Sequence, residues 1–215
     1  SGIYRDVYLE KTDRVHFDNF GIRCAANGIF QEIGTADLQI RSLVRNDSEN
    51  DVQIGILHRL YDAEGNLVLS AGTAVSLEAG KQTDSMCRPK LENPHLWTPK
   101  EPYLYTLESL CLLDGVTVDQ KRTRIGIRTA VFDSDRGFLL NGKSEKIKGV
   151  CLHHDCGITG AVGTRELWSR RLHLLKDMGC NGIRMSHNPP LPVLLDLCDE
   201  MGFLVMDEIY DEWML

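Results

Sequence analysis

Three short stretches carry side chains that transfer protons or bind metals: Cys151-Leu152-His153-His154-Asp155-Cys156, Ser186-His187-Asn188 and Asp207-Glu208. In the first, every residue but Leu152 is a metal ligand by type. A zinc centre needs three or four ligands at recognisable spacing. Along an extended strand Cys151, His153 and Asp155 lean one way, and Leu152, His154 and Cys156 the other. The six therefore cannot converge while the strand stays extended, which leaves His153 as the residue of interest and casts Cys151 and Cys156 as packing residues. Each stretch also has a plainer reading. A strand-end histidine is more often a solvated loop residue than a catalytic one, and an Asp-Glu pair after a strand often caps the next helix. Arg184 stands apart because it lies inside an otherwise apolar run, where a buried guanidinium needs a carboxylate partner.

Three parallel strands are expected to position these stretches. Residues 146–152 read as a buried strand. Thr164 is a candidate N-cap for a helix whose stripe is Leu167, Trp168, Leu172, Leu175 and Met178, closed by Gly179. Residues 182–186 form the next strand, broken by Pro189-Pro190. Leu194, Leu197, Cys198 and Met201 mark a second helix, with Gly202 as its cap. The apolar run Phe203-Leu204-Val205-Met206 suits a fully buried parallel strand. This β-α-β-α-β order implies a (β/α) barrel or a doubly wound sheet, and in both the ligand site lies at the carboxyl ends of the strands. All three strands end in chemically useful residues, and that coincidence weighs more than any one of them. No Gly-rich phosphate loop follows the first strand, which disfavours a nucleotide fold.

The chain reads differently before residue 132. Val52, Ile54, Ile56, His58 and Leu60 alternate on one face, and residues 62–66 form a turn. Residues 110–113, Asp114-Gly115 and residues 116–118 read as a hairpin, and residues 124–131 as another strand. Seven or so short strands in ~120 residues predict an antiparallel sandwich of immunoglobulin-like size.

Composition bounds the function. The 215 residues are 42% hydrophobic and 26% charged, with a net charge of −7. That balance argues against a nucleic-acid partner, which would need a basic stripe. No stretch is apolar enough to span a membrane. The seven cysteines are scattered, with no Cys-x-x-Cys, and form neither a disulfide framework nor a zinc framework.

Residues 181–189 (Asn-Gly-Ile-Arg-Met-Ser-His-Asn-Pro), followed by residues 197–208 (Leu-Cys-Asp-Glu-Met-Gly-Phe-Leu-Val-Met-Asp-Glu), resemble the hallmark of glycoside hydrolase family 2, which includes β-galactosidases, β-glucuronidases and β-mannosidases. Residues 137–143 with Lys148-Gly149-Val150 resemble the start of that family's barrel. Leu96-Trp97-Thr98-Pro99 with Pro102-Tyr103-Leu104-Tyr105 resembles its immunoglobulin-like domain, and residues 1–7 the last strand of its N-terminal jelly roll.

The resemblance implies a multi-domain chain. Residues 1–9 would close a sugar-binding jelly roll, residues 10–131 would form an immunoglobulin-like β-sandwich, and residues 132–215 the first three βα units of a (β/α)8 TIM barrel. It implies a retaining β-glycosidase, β-galactosidase first and β-glucuronidase next, that acts on a β-galactoside or related oligosaccharide as a homo-oligomer. His153 and His187 would contact sugar hydroxyls, Arg184 would support the carboxylate cluster, and Asp207 and Glu208 would form the acidic pair after the third strand. Glu212 matches a glutamate that binds magnesium in some members, although the histidine expected two residues later is Met214. No cofactor is required.

Two further departures bear on sugar preference. Many members have Asn-Arg where this chain has Cys151-Leu152, and Asn188 replaces the commoner tyrosine. A retaining glycosidase needs two facing carboxyl groups ~5 Å apart. Asp207 and Glu208 are adjacent and point in opposite directions, so they cannot be that pair. The family's acid/base and nucleophile glutamates follow its fourth and seventh barrel strands, so residues 1–215 alone are expected to be inactive. The rival reading is a non-catalytic module that binds carbohydrate or protein.

Overall fold

A computed structural model describes residues 3–208. The fold divides into two units. One comprises residues 10–96 and 103–129; the other comprises residues up to 9, 97–102 and from 130 onward.

The first unit is a β-sandwich. Its strands are β1 (Val15–Phe30), β2 (Thr35–Asn46), β3 (Val52–Tyr61), β4 (Leu67–Leu77), β5 (Gln82–Cys87), β6 (Lys90–Glu92), β7 (Tyr105–Leu113) and β8 (Val116–Ile125). One sheet has the order β1-β2-β5, with β6 also on β2; the other is β4-β3-β7-β8. Every pairing in both sheets is antiparallel. The alternation expected from residue 52 onward is present, with Ile54, Ile56, His58 and Leu60 all buried. Leu38 and Ile40 of one sheet pack with Leu60 and Leu107 of the other. The β7–β8 hairpin closes on Asp114 and Gly115, with φ of 50° and 79°. Positive φ at both central residues is the signature of the type I′ turn, whose twist matches that of the flanking strands.

His58 is the polar exception in this core. It is 1% exposed and lies between Ser109 Oγ, 2.9 Å from Nδ1, and Ser42 Oγ, 3.3 Å from Nε2. The two serines come from opposite sheets, so the imidazole bridges them. Burial pushes its pKa down to about 4, because a charged ring loses its hydration there.

The strand expected at residues 124–131 is not continuous. β8 stops at Ile125, Ile127 makes an isolated bridge to Leu96, and a separate small sheet begins at Ala130. That sheet joins β9 (Ala130–Asp133), β10 (Gly137–Leu140) and β11 (Lys143–Ser144). Residues 97–102 pack with the second unit. Trp97 donates its indole N–H to the Asp199 carbonyl at 2.8 Å, and Asn141 Nδ2 donates to the Trp97 carbonyl at 3.1 Å.

The second unit continues as β12 (Gly149–Leu152), α1 (Arg165–Asp177), β13 (Gly182–Met185), α2 (Pro192–Met201) and β14 (Leu204–Asp207). The strands are parallel in the order β12-β13-β14. Both helix caps are as expected. The Thr164 hydroxyl accepts from the Leu167 amide, and Gly202 ends α2 in the left-handed region at φ 74°. Gly202 is also constrained by space: a Cβ there would lie 2.4 Å from the Pro99 carbonyl oxygen. Trp168, Leu172, Ile183, Met185, Leu194 and Leu197 form the core between helices and sheet.

Three expectations fail in this unit. Residues 146–148 are outside β12, and the strand itself alternates exposed with half-buried residues, because it is an edge strand covered on one face only. Met178 is 73% exposed because it is the C-cap just past the last helical residue of α1, and Met206 is 59% exposed on the sheet face that the helices leave open. Residues 3–9, read as part of a strand of a preceding domain, have no strand partner among the described residues. A strand needs a neighbour to bond with, and here Tyr4 instead packs edge-on against His154 while Arg5 donates to the Pro189 carbonyl. Among the described residues no helix is long and apolar enough to cross a membrane.

Candidate functional site

Parallel register places Leu152, Met185 and Asp207 side by side. The residues that follow each strand therefore emerge at one level, at the carboxyl end of the sheet. One residue earlier, Cys151, Arg184 and Met206 are register partners. They point to the opposite face from Met185, because successive side chains alternate. Met185 faces the helices, so Arg184 lies on the open face.

Glu208 organises the cluster there. Its Oε1 lies 2.5 Å from Arg184 Nε, and its Oε2 lies 2.6 Å from His187 Nδ1. A carboxylate only accepts, so Nδ1–H donates to it; the other ring nitrogen then accepts when the ring is neutral and donates when it is protonated. The His187 hydrogen bond, with that of Arg184, holds the Glu208 carboxyl below its usual range. The His153 and His187 rings meet edge to face with centroids 5.9 Å apart. Arg184 thus has the carboxylate its position called for, although its side chain is 40% exposed rather than buried.

The structure therefore brings His153, His187, Arg184 and Glu208 together. Asp207 ends β14 on the other face, exposed and outside the cluster. Glu212, the proposed magnesium ligand, lies outside the described residues. Among the described residues no three His, Cys, Asp or Glu side chains gather closely enough to hold a metal ion.

Two more residues join the cluster: Ser186, marked from the sequence only as part of a strand-end stretch, and Cys151, cast as a packing residue. Ser186, 2% exposed, accepts from Arg184 Nη1 at 3.0 Å. Cys151, expected to pack, is exposed instead; its sulfur accepts from the same Arg184 nitrogen at 3.5 Å. That contact, with Ser186, lowers the pKa of the Cys151 thiol. The available signal was alternation: Cys151 lies two residues before His153, on the same side of the strand. Cys156 is buried in the helical core, at 3% exposure, as expected. His154 turns to Tyr4, and Asp155 Oδ1 accepts from the Gly157 amide. The six-residue stretch thus points three ways.

The described residues thus form an antiparallel immunoglobulin-like sandwich and, after it in the chain, parallel βα units with a polar cluster at the strand ends. Comparison with known proteins identifies the family. The profile described as "Glycosyl hydrolases family 2" matches residues 16–128, and "Glycosyl hydrolases family 2, TIM barrel domain" matches residues 131–213. The chain belongs to glycosyl hydrolases family 2.

It is 42% identical to the β-galactosidase BoGH2A of Bacteroides ovatus, over 99% of this chain and 25% of that protein. It is 35% identical to a putative β-glucuronidase of Formosa agariphila, over 99% of this chain and 20% of that protein. A solved glycosyl hydrolase family 2 structure from Bacteroides cellulosilyticus matches with a TM-score of 0.93 at 35% identity, covering 99% of this chain and 27% of that one. The chain thus spans about a quarter or less of the length of the curated relatives it matches.

Proposed function

We propose that residues 1–215 form the sandwich and the first barrel strands of a larger retaining β-glycosidase that hydrolyses terminal β-galactosides. The observation that carries this reading is the Arg184–His187–Glu208 cluster beside His153, at the carboxyl ends of parallel strands, where barrel enzymes bind their ligands. Two imidazoles suit sugar hydroxyls: with Nδ1–H of His187 committed to Glu208, its other ring nitrogen accepts from a hydroxyl when the ring is neutral and donates to one when it is protonated. Glu208 orients His187 and neutralises Arg184, so its role is to hold the two sugar-facing groups in place. The name of the Bacteroides ovatus relative favours a galactoside, and that of the Formosa relative supports a β-glucuronide as the second reading.

The isolated chain should not turn over substrate. Among the described residues the cluster holds one carboxylate, Glu208, already committed to two partners. Asp207 faces away, so no facing pair at the ~5 Å of a retaining mechanism is present. No step is assigned to a metal.

The test is nitrophenyl glycoside hydrolysis by the full-length protein and by the 215-residue chain. Turnover of the β-galactoside by the full-length protein alone is expected. Preference for the β-glucuronide selects the second reading, hydrolysis of neither overturns the first, and turnover by the isolated chain overturns the division of labour.

A further inference from the structure

We propose that Cys151 is a positioning residue for Arg184: with Ser186 it fixes the guanidinium so that its other edge meets Glu208. This rests on the glycosidase reading of the strand-end cluster. The β12–β13 register makes Cys151 and Arg184 direct neighbours on the open face. Arg184 Nη1 is held from two sides, by Ser186 Oγ at 3.0 Å and Cys151 Sγ at 3.5 Å. Nε is committed to Glu208 Oε1, and Nη2 lies 3.5 Å from His187 Nδ1.

A guanidinium is a rigid planar fork, so fixing one edge aims the other. Arg184 is a half-exposed side chain with many rotamers, and without these two acceptors it could reach Glu208 from several directions. Glu208 in turn holds His187 by a single short hydrogen bond. Displacing Arg184 therefore moves the carboxylate and, through it, the imidazole. Cys151 touches no substrate in this account and acts only through Arg184.

The charged and polar groups facing the Cys151 thiol are Arg184, Ser186 and Glu208, of which the first two favour the thiolate and Glu208 opposes it. That gives a readout independent of turnover. Iodoacetamide alkylates the thiolate, forming a carbon–sulfur bond as iodide leaves. Its rate at Cys151, followed against pH by residue-resolved mass spectrometry on the 215-residue chain, should have a lower pH midpoint in the wild type than in Arg184→Gln.

In the full-length protein, Cys151→Ala should lower kcat/KM by roughly 10- to 100-fold, as expected when sugar-contacting groups are displaced by about 1 Å. Cys151→Ser keeps an acceptor for Arg184 and should recover most of the loss. An active wild type with an unaffected Cys151→Ala variant overturns the positioning role while the glycosidase reading stands. An alkylation midpoint that Arg184→Gln does not move overturns the contact itself. A wild type inert on all β-glycosides overturns the glycosidase reading and this role with it.

Discussion

The two units use strands in opposite ways. In the sandwich each sheet covers the other, and the inward residue at alternate positions is buried whatever its chemistry; His58 is enclosed between Ser42 and Ser109 with no route to a ligand. In the parallel unit α1 and α2 cover one face only. Met185 is 3% exposed against the helices, while its neighbour Arg184 stands on the open face with Cys151 and Met206. A histidine in the first setting is structural, and one in the second can meet a substrate. Burial on both sides, rather than residue type, separates them.

Spectroscopy can follow the units separately. Residues 10–96 and 103–129 contain no tryptophan, whereas Trp97 and Trp168 are buried in the other unit. Tryptophan fluorescence thus reports the parallel unit, and far-UV circular dichroism is dominated by the sandwich strands. The largest effect should come from Gly202→Val. It places a branched side chain at φ 74° and against the Pro99 carbonyl, and should cost about 4 kcal/mol from backbone strain and overpacking together. The fluorescence-detected urea midpoint should collapse with little change in the dichroism-detected one. A common shift in both would break the separation.

Next in size is a pH effect confined to the sandwich. His58 titrates at about 4 when folded and near 6.5 when unfolded, so the unfolded state takes up the proton first. Its contribution is complete above pH ~6.5 and disappears as the pH falls toward 4, a change on the order of 3 kcal/mol. Urea midpoints by dichroism should fall between pH 6.5 and 5 in the wild type and less steeply in His58→Gln. Equal slopes would show that the ring is not buried neutral.

Thr164→Ala should remove the α1 cap and cost about 1 kcal/mol, seen by fluorescence alone. The smallest effect should be at Met206, on the open face, where Met206→Ala should stay within about 0.5 kcal/mol. A cost of several kcal/mol there would mean that the face is covered after all.

Much of this was legible in the chain because it rests on local rules. Alternation from residue 52 onward, the Asp114-Gly115 turn, the Thr164 cap and the Gly202 stop are each set within a few residues, and the structure has all of them. What could not be read depends on partners distant in sequence. Trp97 leaves the sandwich because it bonds to Asp199 and Asn141, and residues 124–131 split because Ile127 pairs with Leu96. At the candidate site, the strand ends marked His153, His187, Arg184 and Glu208. Alternation already put Asp207 opposite Glu208 and Cys151 on the side of His153; which of the two sides carries the cluster depended on which face the helices cover, and that came with the register.

The central claim is that the strand-end cluster holds the sugar. It is tested most directly by kcat/KM for a nitrophenyl β-galactoside in the full-length protein, comparing His187→Ala with the wild type at matched unfolding midpoints. The account predicts a loss of roughly 100-fold, the scale expected when a positioning contact is removed. A variant as active as the wild type would contradict it.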